Sequence, residues 1–370
     1  MITKIKGFKH IKRLISLIAL AVVLPAYSFA GDSISVANST EIKTEAKPED
    51  GKFNTGEMIM EHVKDAHSWH IAADIAIPLP VILYSSGHGF TFFCSNKLEN
   101  GQVFNGYRLD NEHIVAVNAD GSVNKEETAK VFDFSLTKNS LTVIFVGLLL
   151  ILTFLSVAKS YKNNGIKAPK GLQSLVEPIV IFIRDDVAKP SIGEKKYARF
   201  MPYLLTLFFF ILFFNLLGLV PVIPGGANTM GNISITLTLA GFTFVIMMAS
   251  SNKTYWAHTL WMPGVPWFIK IVLLTPLEIL GIFLRPFTLI VRIFANILAG
   301  HVVGLSLLFL IFIIGTMSRI GGIIVSPLSV AFSAFILLLE VLVAFIQAYV
   351  FTFLSALYFG MATEEAAEHH

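Results

Sequence analysis

Residues 266–314 form an apolar run of about 50 residues, interrupted as a helix only by Pro276 and Pro286. At 1.5 Å per residue an unbroken helix of that length would approach about 70 Å, against a bilayer hydrocarbon core of about 30 Å. Residues 327–361 make a second long run, about 50 Å by the same measure. Segments like these have no place in a soluble core. They must cross a membrane bent or strongly tilted, and lying side by side they would form a broad wall.

Composition agrees. The chain is 54% hydrophobic and 14% charged, whereas soluble domains carry about 25% charged residues. Runs of this length point to helices, since a β-barrel would show segments of about 10 residues with alternating polarity. Shorter spans are expected over 141–158, 203–220 and 233–250, giving an all-α integral membrane protein of about five membrane helices with the last two long and tilted. The net charge of +3 is small and dispersed, which argues against nucleic acid. With Cys94 as the sole cysteine, an internal disulfide and cysteine-based metal clusters are excluded.

The N-terminus reads as an export signal. Lys4, Lys6, Lys9, Lys12 and Arg13 precede an apolar core at 14–24, and Ser28 and Ala30 stand where a signal peptidase reads small residues. Cleavage is expected after Ala30. An exported, partly disordered region follows over 31–138, polar over 31–56 and forming a small module from Glu57 to about Phe134, with a turn at 118–121. The membrane domain is expected over 139–362 and a cytoplasmic tail over 363–370. The basic stretch 159–199 is assigned to the cytoplasm by its lysines and arginines, and an amphipathic helix within it, 172–183, to the membrane surface. The uncharged linker 222–231 then falls outside. Charge bias and export signal give one topology, in the inner membrane, with the mature N-terminus periplasmic and the C-terminus cytoplasmic.

Arg292 lies deep in the first long run. A guanidinium at mid-bilayer costs roughly 2.5–3.5 kcal/mol even on insertion scales, and arginine cannot shed its proton to escape that cost. At 100° per residue, Glu278, Arg285, Thr288, Asn296 and Ala299 fall within about 40° of Arg292, and His301 falls about 180° away. On the last segment Glu340, Ala344 and Gln347 share a face. Several of these have ordinary readings: Glu278 and Arg285 as an i, i+7 ion pair, Asn296 and Gln347 as interhelical glue, His301 as a core histidine. Arg292 has no acidic residue on its own turn, so its counter-charge should come from elsewhere in the chain or from a partner.

The run LIVRIFANILAGH, residues 289–301, closely resembles the signature of the a subunit of F-type ATP synthases. Phe214 to Pro221 and Asn232 to Thr236 are similar to that family's earlier hairpin, and the spacing to Glu278 and Gln347 matches as well. The resemblance covers about 139–362. It implies a proton-translocating stator subunit with two aqueous half-channels facing a rotating c-ring, whose subunits each carry a buried carboxylate, with the b subunit as peripheral stalk and the lipid bilayer as surroundings. Arg292 would separate the channels and pair transiently with the ring carboxylate. His301, Glu340 and Glu278 would be relay groups on the exported-side path, and Asn296 and Gln347 would orient water or the ring carboxylate. No catalytic site, cofactor or metal is implied in this chain. An ion-coupled secondary transporter is the alternative, though the sequence shows no internal repeat. A metal-binding role for His62, His67 and His70 is disfavoured, because on a helix only His67 and His70 would share a face.

Overall fold

The computed structural model describes residues 65–72, 75–85, 89–110, 113–118, 120–164, 168–220, 229–260 and 267–364. The expected signal peptide, the polar stretch 31–56, His62, most of the linker 222–231 and the end of the tail lie outside these residues.

Five helices are long and apolar enough to cross a membrane. These are α1 (Lys138–Asn164), α4 (Tyr197–Gly218), α5 (Ile233–Ser250), α7 (Thr275–Met317) and α8 (Arg319–Thr363). Shorter helices α2 (Leu172–Phe182) and α3 (Lys189–Ile192) lie between α1 and α4, and α6 (Lys253–Leu260) follows α5. The protein is thus a multi-pass membrane protein of all-α architecture in its membrane part.

The N-terminal module is mainly β, with only short helical turns at Ser95–Gly101 and Lys125–Thr128. It is built of short antiparallel strands: β1 (Ser68–Ala72), β2 (Ile75–Pro78), β3 (Pro80–Ser85), β4 (Gly89–Cys94), β5 (Tyr107–Asp110), β6 (His113–Ala116) and β7 (Val131–Asp133). Strand β3 sits between β4 and β7, and the other strands pair as β1–β2 and β5–β6. Alternation explains the first of these sheets. Val81, Leu83 and Phe93 point inward, with Leu98, Tyr107 and Ile114 completing a small core. The expected turn is present: Gly121 N–H donates to the Asn118 carbonyl, with Gly121 at φ 83°.

Two prolines leave a visible mark. A proline ring clashes with the carbonyl four residues earlier and offers no N–H to it. Wide π-helical turns at Ile183–Ala188 and Lys270–Leu274 lie just before Pro190 and Pro276, where that conflict falls. Pro286 and Pro327, by contrast, are carried inside α7 and α8. The second long run is therefore a longer helix than the sequence suggests, and both helices are about 65 Å long. Only Ser318, in an extended conformation, separates them, and its hydroxyl caps the Gly321 N–H. Small residues make so short a corner possible: a Cβ on Gly322 would come within 2.8 Å of the Gly315 Cα.

Helix α4 supplies the centre of the core. Phe208, Phe214, Leu204, Leu207 and Ile211 are fully buried on it, and Phe351 and Phe359 meet it from α8. Phe200 stacks on Phe359 at 4.8 Å, and Phe154 of α1 meets Phe209 edge-on at 5.0 Å. Aromatic pairs of this kind add about 0.5–1.5 kcal/mol beyond burial. One polar link joins α4 to α5, where the Tyr203 hydroxyl lies 2.8 Å from that of Thr243. The wall formed by α7 and α8 differs. On α7, Phe283, Phe287 and Val291 face outward while Ile282, Leu289, Ile290 and Ile293 pack into the core.

Candidate polar cleft and intramembrane arginines

Helices α7 and α8 run antiparallel from the Ser318 corner, which brings Gly300 opposite Glu340. A Cβ on Gly300 would stand 2.6 Å from Glu340 Oε1 and 3.2 Å from its Cδ. The missing side chain is thus the space that the carboxylate occupies. Asn296, one turn before Gly300, and Gln347, two turns after Glu340, open onto the same cleft. The cleft has a cavity volume of about 40 Å³ and is lined also by Asn215 of α4 and by Thr229.

Two acceptors in this cleft have no partner among the described residues. Asn215 is 8% exposed and Gln347 4%, and the Oδ1 of the first and Oε1 of the second make no hydrogen bond. The Asn215 amide nitrogen donates only a long contact, 3.5 Å, to the Ala344 carbonyl. A buried acceptor without a partner costs about 1–3 kcal/mol. Unpartnered acceptors of this kind are the groups that a bound water would satisfy.

The six expected site residues are not gathered in one place. Asn296, Glu340 and Gln347 line the cleft. Arg292 stands one turn from Asn296, partly exposed, and makes no ion pair or hydrogen bond among the described residues. The His301 side chain lies outside the described atoms, although its backbone is helical within α7. Glu278 is 18 residues before Asn296, about 27 Å along α7, at the end where α6 packs. Glu278 and Glu340 therefore stand at different depths along α7 and α8. The helical-wheel projection put both on polar faces but carried no information about depth.

The Glu278–Arg285 pair is also not formed. Arg285 Nη1 donates to the Tyr255 hydroxyl of α6 at 3.2 Å, and its guanidinium lies 5.7 Å from the Tyr358 ring centroid.

Asn215, Thr229 and Gly300 were not identified as site residues from sequence. Asn215 carried a usable signal, an amide within an apolar run, which in a membrane helix must find a partner or water. Gly300 carried one only in retrospect, because its role depends on which residue faces it across the hairpin.

Comparison with known proteins covers both parts of the chain. Residues 140–360 match the family described as ATP synthase A chain, and residues 58–134 match a domain of unknown function (DUF8433). An ATP synthase subunit a of Chloroherpeton thalassium is 46% identical over 245 residues, covering 65% of this chain and 69% of the relative. An ATP synthase subunit a 2 of Chlorobium luteolum is 42% identical over 277 residues, 71% of this chain and 78% of the relative. The subunit a of Myxococcus xanthus is 41% identical over 244 residues, 64% and 75% of the two chains.

Proposed function

Because the chain belongs to the ATP synthase A chain family, we propose that Arg292 separates two aqueous half-channels and pairs transiently with a buried carboxylate on a rotating c-ring. The protein is the proton-translocating a subunit of the ATP synthase membrane sector. The observation that carries the role of Arg292 is its setting, a partly exposed cation with no counter-charge among the described residues, one turn from a polar cleft.

Opposite unit charges 4 Å apart attract by about 4 kcal/mol at an effective dielectric of 20. A ring carboxylate reaching Arg292 therefore favours its ionised form and gives up its proton. Rotating away, it regains one from the other channel. The fixed charge also keeps a hydronium from passing straight between the channels, a duty that a neutralisable lysine would perform less well.

Glu340, with Asn296 and Gln347 orienting water or the ring carboxylate, forms the path on the side of the cleft. His301, an imidazole that titrates near neutral pH, is a relay for the same side. Glu278, about 27 Å away by helix rise, serves the opposite half-channel. The positions of charged and exported parts support the orientation. Helix α1 begins at the β-rich module and ends at the basic stretch with Lys159, Lys162 and Lys170, so these lie at opposite ends of a span. The module is periplasmic in this reading, the basic end and C-terminus are cytoplasmic, and the membrane is the inner membrane. The b subunit meets the chain as the peripheral stalk, and the surrounding bilayer covers the rest. The decisive experiment is Arg292→Ala in complex reconstituted into vesicles. ATP-driven proton pumping is expected to vanish, and its survival would end this assignment.

A further inference from the structure

The N-terminal module is not merely tethered to the membrane domain. Its first described residues cap α1: the Asn139 N–H donates to Asp65 Oδ1 at 3.0 Å, and the Lys138 N–H to the Ala66 carbonyl at 2.9 Å. Asn139 is itself 4% exposed, and its Oδ1 receives the Thr229 hydroxyl at 3.5 Å. Thr229 is a wall of the cleft that holds Glu340, Gln347 and Asn215. Asn139 thus meets the module through its backbone N–H and the cleft wall through its side chain.

Titratable groups stand at its outer end. His67 Nε2 lies 3.4 Å from Asp133 Oδ2, with side-chain exposures of 7% and 27%. Asp65, two residues from His67, is partly buried, and its carboxylate accepts from the Asn139 N–H. Asp133 is thus the exposed member of the cluster, and His67 is the buried one that stands behind it. The charged groups facing this cluster are Asp133 on β7, Asp65 and His67 at the start of the module, and Lys138 on α1.

We propose that Asp65, His67 and Asp133 form a proton-collecting mouth for the cleft, so that the module is a working part of the ion path. A proton taken from the aqueous phase by Asp133 or His67 passes to the Asp65 carboxylate, then to water beside Thr229 and on to Glu340. Each donor is left as it began, and no other species is consumed. Burial holds the Asp65 carboxyl above its ordinary range, which keeps a proton there when the aqueous phase supplies few. This role rests on the cleft being an ion path.

The test uses whole ATP synthase in vesicles with the module side in the lumen, and reads ATP synthesis against luminal pH at constant total driving force. Asp65→Asn keeps an acceptor for the Asn139 N–H, and His67→Gln is a second, milder change. Both are expected to lose synthesis several-fold at neutral luminal pH, to recover at acid luminal pH, and to be rescued by luminal imidazole buffer. A curve unchanged from the parent, or an equal loss at every pH without buffer rescue, would overturn the mouth. Glu340→Gln separates the two ideas. It should abolish synthesis at every pH, and a Glu340→Gln complex with full synthesis would refute the cleft reading itself.

Discussion

Gly300 and Glu340 meet where α7 crosses α8, and the carboxylate oxygen sits where a Cβ on residue 300 would be. Gly300→Ala should therefore act on function before stability. The obstructing atoms are the mobile end of a side chain, so the carboxylate can turn away, and alanine raises helix propensity by about 0.5–1 kcal/mol. The expected outcome is an assembled complex of unchanged or slightly raised thermal stability with reduced proton flux. Unreduced flux in such a complex would mean that the position of the Glu340 carboxylate does not matter.

Much of the membrane part was legible in the sequence, because length and polarity leave a bilayer-spanning segment few options. The span at Ile233–Ser250 was read to the residue. The corner at Ser318 was not. Residues between the two apolar runs contain Gly315, Gly321 and Gly322, which read as a loop by composition, yet the glycines serve close helix contact and only Ser318 leaves the helix. Asn296, Glu340 and Gln347 could be chosen by polarity, but their convergence depends on that corner, which sets the register of the hairpin. Arg285 shows the converse error. Sequence offers Glu278 as its neighbour on the same helix face, while the fold supplies Tyr255 from another helix. The β-structure of the module was visible only as alternation in two stretches, since its pairing is set by contacts far apart in the chain.

The Arg285–Tyr255 bond makes a separate prediction. Tyr255→Phe removes the acceptor while leaving the buried ring in place. A hydrogen bond to a partly exposed charged group contributes about 1 kcal/mol. Thermal unfolding of the single variants Tyr255→Phe and Arg285→Gln and of the double variant should give a coupling energy of about that size. Strict additivity would show that the bond contributes nothing.

Gly360 tests how α8 is seated. A Cβ there would coincide with the Ser191 carbonyl, and the obstacle is backbone at the end of α3, which cannot swing aside. The same end of α8 is held by Asn252, whose side chain donates to the Thr363 carbonyl at 3.1 Å, and by Lys196 at 2.5 Å. Gly360→Ala should cost about 1–3 kcal/mol by overpacking, read as a lower melting temperature and faster proteolysis between α3 and α4. A melting temperature equal to that of the parent would show that the two elements separate freely.

Asp65 and Asp133 should give the module opposite pH limbs. For Asp133, burial raises the carboxyl pKa, but hydrogen bonds from His67 and Ser135 outweigh it, and the net shift is downward. A lowered pKa means that the folded state favours the carboxylate. That contribution is present above the ordinary carboxyl value of about 3.9 and is lost as pH falls through the lowered one. For Asp65, burial dominates the bond from Asn139 and the nearby charges, and the net shift is upward. There the unfolded chain ionises first, so stability is lost as pH rises from the ordinary value through the raised one. Trp69, 5% exposed and two residues from His67, is a natural fluorescence reporter of module unfolding. Asp133→Asn should remove the acid limb of the stability curve and Asp65→Asn the loss on raising pH. If Asp65→Asn instead leaves the pH dependence of unfolding as in the parent, Asp65 is not held as a proton-binding group in the folded module.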